Sequence, residues 1–510
     1  MITARTASAY LDQVREKARK THAYADLLAG DRLHEECGVF GVWGAPDAAG
    51  LAVIGAHALQ HRGQEGAGVV STDRERFFAE RGAGLVSDVF SREERVAALN
   101  GEAAVSHTRY STQGGSSVDN IQPLFANLGP QSFALAHNGN LTNSRIMRRQ
   151  LMRDGALFRS RADTEVFLHL AGRSRGATLV DRLVDALWQV EGSYALVALG
   201  RDMMIGARDP VGIRPLVLGK LGGAHILASE TCALDLIGAE FVRDVAPGEV
   251  VVVTEHGVES RKPFPHANAT ARSCIFELLY FARPNSIVDG KSVYELRKAF
   301  GRQLAREAAI DADIVSPIPE SGVPAAIGYA AETGVPFELG IIRSHYVGRT
   351  FIAPRQDMRE LGVKKKHSIN RSQMEGKRVV FIDDTLVRGT TSKQLVRMAR
   401  EAGAKEVHIR IASPPIKHPD YYGIDTPSKE ELMGANYTVE EIRRQIGADS
   451  LAYLSVDGLY EALGAGPRDA AAPAFTDHCF TGDYPTPTPD ATLLESETSI
   501  EQLSLLAEPV

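Results

Sequence analysis

The stretch Lys377–Pro415, KRVVFIDDTLVRGTTSKQLVRMAREAGAKEVHIRIASPP, constrains the fold more than any other part of the chain. It runs from an apolar strand pattern to a loop opening on two aspartates, then to an amphipathic helix and a second apolar run. Strand, helix and strand in that order bury their apolar faces together as a parallel α/β unit. The segment 312–334, ADIVSPIPESGVPAAIGYAAETG, repeats the grammar upstream.

Residues 37 to about 260 read differently. Short β-branched runs (CGVFGVW, GAGVV, SYALVALG, PLVLG, EVVVVTEHG) alternate with Gly-rich turns and with helical stretches such as DTEVFLHLAG. Layered sheets with helices against them are expected. The boundary between the two halves is expected near KPFPHANATARS, residues 262–273, and a Pro/Thr-rich, then acidic, weakly ordered tail after about 470. A length of 510 residues leaves room for two or three cores.

Composition removes several function classes. A net charge of -7 gives no general attraction for nucleic acid or an anionic membrane. No apolar run approaches the ~18 residues that span a bilayer. The first 36 residues lack the apolar core of a secretory signal and carry Asp12 and Glu16. Four cysteines, at 37, 232, 274 and 479, are too scattered for a disulfide framework or a C-x-x-C site. A reducing, cytoplasmic setting is expected, with no nucleic-acid or membrane partner.

The string VVFIDDTLVRGTTS, residues 379–392, carries the chemistry of the second half. Open α/β sheets bind ligands at the carboxyl ends of their strands, so Asp383 and Asp384 sit at the working edge. The hydroxyls, Gly389 and successive N–H groups that follow open onto a helix, as a phosphate cradle requires. Alone, paired acids after a strand are better explained as a helix cap or as solvent-facing groups. SPIPESG (316–322) also follows a strand, as a ligand loop or a Pro-rich turn. The Arg/Lys-dense stretch 341–371, with Gly348 as hinge, suits closure over pyrophosphate, or a solvated basic face.

The full D-D-T-x-x-x-G-T-T loop resembles the signature by which type I phosphoribosyltransferases bind phosphoribosyl pyrophosphate (PRPP). In the first half, Cys37, LQHRGQEGAG (59–68), SHTRYSTQG (106–114), AHNGNLTN (136–143) and RADTEVF (161–167) follow in the order of class II glutamine amidotransferases. Together the halves, over roughly residues 37–480, resemble the glutamine PRPP amidotransferase family. The resemblance implies an α+β N-terminal nucleophile hydrolase domain, layered αββα, followed by an α/β type I phosphoribosyltransferase domain. The expected divisions are a removed propeptide 1–36, a glutaminase 37–262, a phosphoribosyltransferase 270–470 and a C-terminal extension 471–510.

Residue roles follow from the same resemblance. Cys37 is the nucleophile, and its own α-amine, of ordinary pKa ~7.7–8.0, is the base, which requires cleavage of the Glu36–Cys37 bond. Asn138 and Gly139 form the oxyanion hole; Arg109, Thr112 and Asp163 bind glutamine. Asp383, Asp384, Thr385, Val387, Arg388, Gly389, Thr390, Thr391 and Arg349 bind PRPP; Ser321, Asp383 and Asp384 lie at the metal, one Mg²⁺ per subunit. Read singly, Arg109 could be a surface ion pair, NGN a hairpin turn and Asp163 a helix cap. The segment around Arg349, with Tyr346, Phe351 and Ile352, is expected to close over the second site and, with Tyr280 and Phe281, to wall an ammonia path.

One branch of this family holds a [4Fe–4S] cluster on four cysteines. Cys274 and Cys479 match two ligand positions, but Asp420 and Thr476 stand at the other two, so no cluster is expected. The resemblance further implies a homotetramer and purine nucleotide feedback inhibitors. Two rivals remain: another class II amidotransferase such as a glucosamine-phosphate synthase, against which the PRPP loop speaks, and a PRPP-sensing regulator, which would need no nucleophile.

Overall fold

The structure is a computed structural model that describes residues 37–110, 118–264, 271–343 and 367–493. Thr112, Arg349 with the whole 345–352 loop, and the 1–36 leader lie outside the described residues. By contacts the chain divides into two compact units, one with residues 37–296, 418–426 and 468–493, the other with residues 297–417 and 427–467.

In the first unit two antiparallel sheets pack face to face. One is seven-stranded and centres on Gly38–Trp43, flanked by Ala103–Arg109 and Ala224–Ala228. The other is six-stranded and contains Phe133–Leu141 paired with Gly192–Leu199. Strand alternation builds the layers. Val39 and Trp43 meet Ala134, Ala136, Ala195 and Val197 between the sheets. Phe40 and Val42 point the other way, onto the helix Ala48–Ala58. Phe133, Leu135 and Leu141 face outward onto the helices Thr164–Arg173 and Leu179–Leu187. The result is the expected αββα sandwich. Gly41 lets the sheets approach, since a Cβ there would sit 2.6 Å from Val197 Cγ1.

The second unit is built on a four-stranded parallel sheet in the order Ile314–Pro317, Arg378–Asp383, Glu406–Ile411, Ser450–Tyr453. Helices Val323–Thr333 and Thr390–Glu401 connect successive strands, and Leu395, Val396 and Ala399 join Val379, Phe381 and Ile409 in the core. This is the parallel α/β arrangement that the strand–helix alternation predicts. Among the described residues no helix is long and apolar enough to cross a membrane.

Candidate active sites

Cys37 stands immediately before the central strand Gly38–Trp43, and Gly38 pairs with Thr108, which places the thiol beside the end of the strand that carries Arg109. Cys37 is 8% exposed, and its Sγ donates to the Tyr110 carbonyl at 3.6 Å. Burial pushes the thiol up from its ordinary value; Arg109, the Tyr110 carbonyl and Arg62 pull the other way, while Asp163 adds to the rise. The charges of Arg109 and Asp163 thus both bear on the sulfur, one of each sign, as the carboxylate and ammonium of an amino-acid substrate need. A thiol held this way remains protonated near neutrality, so attack needs a base.

Asn138 is fully buried, and among the described residues neither its Nδ2 nor its Oδ1 has a hydrogen-bond partner. A buried side-chain amide left unsatisfied is costly and calls for a ligand atom. Gly139 follows with φ +138°, and a Cβ would meet the Ser193 carbonyl oxygen at 2.3 Å, so only glycine fits. Thus NGN lies inside the strand Phe133–Leu141 rather than in a hairpin turn. Asp163 does cap the helix Thr164–Arg173, through Oδ1 to Thr164 N–H at 2.9 Å. Its Oδ2 accepts the Leu141 N–H at 2.9 Å, tying the cap to the Asn138–Gly139 strand. Arg109 is 4% exposed and donates to the Asn120 carbonyl at 2.8 Å, so it is no surface ion pair.

A set of buried charges that sequence reasoning missed lies behind the nucleophile. Arg62 Nε donates to the Cys37 carbonyl at 3.2 Å. Its two Nη atoms reach Glu230 at 2.6 Å and Glu277 at 2.6 and 3.0 Å. Arg214 also reaches Glu277, at 3.3 Å, and His61 reaches Glu230 at 2.7 Å. Burial opposes the charge on Glu230, but His61 and Arg62 outweigh it and hold the carboxyl well below its ordinary range. The signal lay in the His-Arg of LQHRGQEGAG, but Glu230 and Glu277 are too distant in sequence to pair with it by eye.

In the second unit Asp383 ends its strand and Asp384 begins the loop. Ser321 Oγ donates to Asp384 Oδ1 at 2.7 Å, and Thr385 Oγ1 to Asp384 Oδ2 at 3.3 Å. Ser321 and the two acids, 62 and 63 positions apart in sequence, therefore meet at one sheet edge. Gly389 takes φ +71° and opens the helix Thr390–Glu401 as its N-cap, where it offers no capping side chain. That leaves the helix N-terminus, with Thr390 and Thr391, able to receive a phosphate. Val387 is 2% exposed, so only its backbone can reach a ligand there. Arg388 lies 3.4 Å from Glu431. The carboxylate and hydroxyl oxygens of Asp383, Asp384 and Ser321 are the hard donors that suit Mg²⁺.

Two further groups of described residues have metal-ligand chemistry: His61, Glu230 and Cys232, and Asp420, His478 and Cys479. The positions matching the cluster ligands do not suit an iron–sulfur cluster. Asp420 is bonded to His478 Nε2 at 2.8 Å, and the Thr476 hydroxyl donates to the Arg272 carbonyl, which leaves two thiols, Cys274 and Cys479, where four are needed. Burial pushes the Cys274 thiol up to about 11.

A glutamine amidotransferase domain family matches residues 107–236. Over 94% of its length the chain is 55% identical to an amidophosphoribosyltransferase of Rhizobium etli, covering 97% of that protein. The chain belongs to the amidophosphoribosyltransferase family. A chloroplastic member from Arabidopsis thaliana is 51% identical over 89% of the chain and 79% of its own length. The solved glutamine PRPP amidotransferase of Bacillus subtilis, complexed with ADP and GMP, superposes with a TM-score of 0.84 at 47% identity, covering 89% of this chain and 98% of that one. Members of the family make 5-phosphoribosylamine, glutamate and pyrophosphate from glutamine, PRPP and water, the first committed step of purine synthesis.

Proposed function

We propose that the two sites described above divide that reaction between them, with glutamine hydrolysed at Cys37 and the nitrogen delivered to PRPP at Asp383–Thr391. Cleavage of the Glu36–Cys37 bond frees the α-amine of Cys37, which takes the thiol proton. The thiolate attacks the amide carbon of glutamine, whose α-carboxylate and α-ammonium are held by Arg109 and Asp163. The oxygen of the tetrahedral intermediate takes hydrogen bonds from Asn138 Nδ2 and Gly139 N–H. Collapse releases ammonia and leaves a thioester, which water hydrolyses to glutamate.

At the second site Asp383 and Asp384 hold the ribose hydroxyls, and the Thr385–Thr391 loop holds the 5′-phosphate at the helix N-terminus. Mg²⁺, when bound by the acids and Ser321, supplies neutralisation of the departing pyrophosphate. Ammonia displaces pyrophosphate at the anomeric carbon. The enzyme is further proposed to be a cytoplasmic homotetramer without an iron–sulfur cluster, inhibited by purine nucleotides; iron stoichiometry in anaerobically purified protein tests the cluster.

The observation that carries this reading is the buried, unpartnered amide of Asn138. Asn138→Ala is expected to lower kcat of glutamine hydrolysis by about 10²–10³-fold, the cost of one oxyanion donor, and to spare ammonia-dependent synthesis. Undiminished glutamine hydrolysis would remove Asn138 from the site.

A further inference from the structure

The short segment His418–Thr426 belongs to the first unit, although the chain on either side of it belongs to the second. It is tied to the strand that carries Asn138 and Gly139. Asn140 Nδ2 donates to the Tyr421 carbonyl at 2.8 Å. Ser193 Oγ accepts the Asn140 N–H at 3.2 Å and donates onward to the Tyr422 carbonyl at 2.6 Å. The same carbonyl accepts from Arg214 Nη2 at 2.9 Å and Nε at 3.2 Å. Three donors on one oxygen fix that peptide in place.

Gly423 then lies directly on Gly139. It has φ +120°, and a Cβ there would stand 3.2 to 3.4 Å from the carbonyl carbon, Cα and carbonyl oxygen of Gly139. The segment is itself clamped. Asp420 Oδ1 accepts the N–H groups of Tyr422 at 2.7 Å and Ile424 at 2.8 Å, and Oδ2 accepts from His478 Nε2 at 2.8 Å. Beside these contacts a pocket of about 250 Å³ is lined by Asn140, Leu141, Thr142, Tyr421 and Gly423 among others.

We propose that His418–Thr426 is a positioning element of the glutaminase site: it holds the Asn138–Gly139–Asn140 backbone in register with the oxygen of the tetrahedral intermediate, and Asp420 fixes the segment for that task. The inference rests on the reading of Asn138 and Gly139 as the oxyanion hole. Hydrogen-bond donors act on a transition state only when pre-aimed, and a displacement of about 1 Å costs on the order of 10²-fold in rate. The segment therefore acts on kcat and leaves the binding of glutamine, which Arg109 and Asp163 carry, largely as it is.

The test compares Gly423→Ala, Asp420→Asn and Asn138→Ala in the full-length, processed enzyme with glutamine or ammonia as nitrogen donor. Gly423→Ala, whose methyl presses on Gly139, is expected to lower kcat for glutamine hydrolysis by about 10- to 100-fold with KM for glutamine within about twofold. Ammonia-dependent synthesis is expected to stay at the wild-type rate. Asp420→Asn keeps acceptors for the two backbone N–H groups but weakens the bond to His478, so a smaller loss of the same kind is expected; it decides the matter if Gly423→Ala does not fold. Full glutamine kcat in Gly423→Ala while Asn138→Ala is impaired overturns the positioning role and leaves the oxyanion reading standing. A rise in KM alone, or an equal loss with ammonia, also overturns it. Unimpaired Asn138→Ala removes the reading and the inference together.

Discussion

Replacing Arg62 with methionine removes a cation that touches the Cys37 carbonyl and two buried carboxylates at once. Arg62 is 1% exposed, and Glu230 and Glu277 are 0% and 1% exposed. Burial disfavours the guanidinium charge, but Glu277 and Glu230 more than offset that and hold it protonated. Breaking a buried pair by deleting one partner typically costs about 3–5 kcal/mol, because a carboxylate is left out of water without its counter-charge. His61 still reaches Glu230 and Arg214 still reaches Glu277, which places the expected loss toward the lower end, about 3 kcal/mol. For a unit as large as the first, 1 kcal/mol moves the melting midpoint by about 1.5–2 °C, so the first unit of Arg62→Met should melt about 5–6 °C lower. Calorimetry of the processed enzyme measures this, with Arg62→Lys as a milder variant that keeps the charge but loses the two-pronged geometry. A shift under about 2 °C would mean that Arg62 is not balancing these carboxylates, and the account of the site's foundation would fail.

Acid should destabilise the first unit through His107, whose pKa is lowered to about 3 by burial first and by Arg109 second. The unfolded imidazole takes up a proton below about 6.5, so stability should fall as the pH drops from about 6.5 toward 3, and His107→Gln should flatten that slope in thermal melts. Glu230 adds a second loss as the pH falls from the ordinary carboxylate value of about 4.3 toward its own depressed one, the unfolded chain taking up the proton first. Asp384→Asn should reduce glutamine- and ammonia-dependent synthesis alike; unchanged ammonia-dependent turnover would refute its place at PRPP. Intact-mass analysis of active enzyme should give a chain beginning at Cys37, and active full-length protein would refute the cleavage.

The second site was legible almost entirely in sequence because its parts are local. A strand, two acids, a Gly-containing loop and a helix follow one another within VVFIDDTLVRGTTS, and their order alone places Asp383, Asp384 and Gly389 at a sheet edge. Ser321 could be suspected from SPIPESG, but its bond to Asp384 depends on which strands become neighbours. The first site was legible as an ordered set of motifs, without their geometry. NGN could have been a turn, and only the register of Phe133–Leu141 against Gly192–Leu199 shows that it is a strand with one orphaned amide.

Sequence by itself determined the two chemistries, because each depends on residue types in short runs: a cysteine before a strand, and two acids before a phosphate loop. Tertiary structure alone decided what supports them. The Arg62–Glu230–Glu277–Arg214 set joins residues up to 215 positions apart, and His418–Thr426 leaves the unit of its chain neighbours to brace Gly139. No local pattern encodes such partners. A buried charge is tolerated only beside its opposite, and a strand backbone is braced by whatever segment the fold brings to it, so both were fixed when the sheets closed on one another.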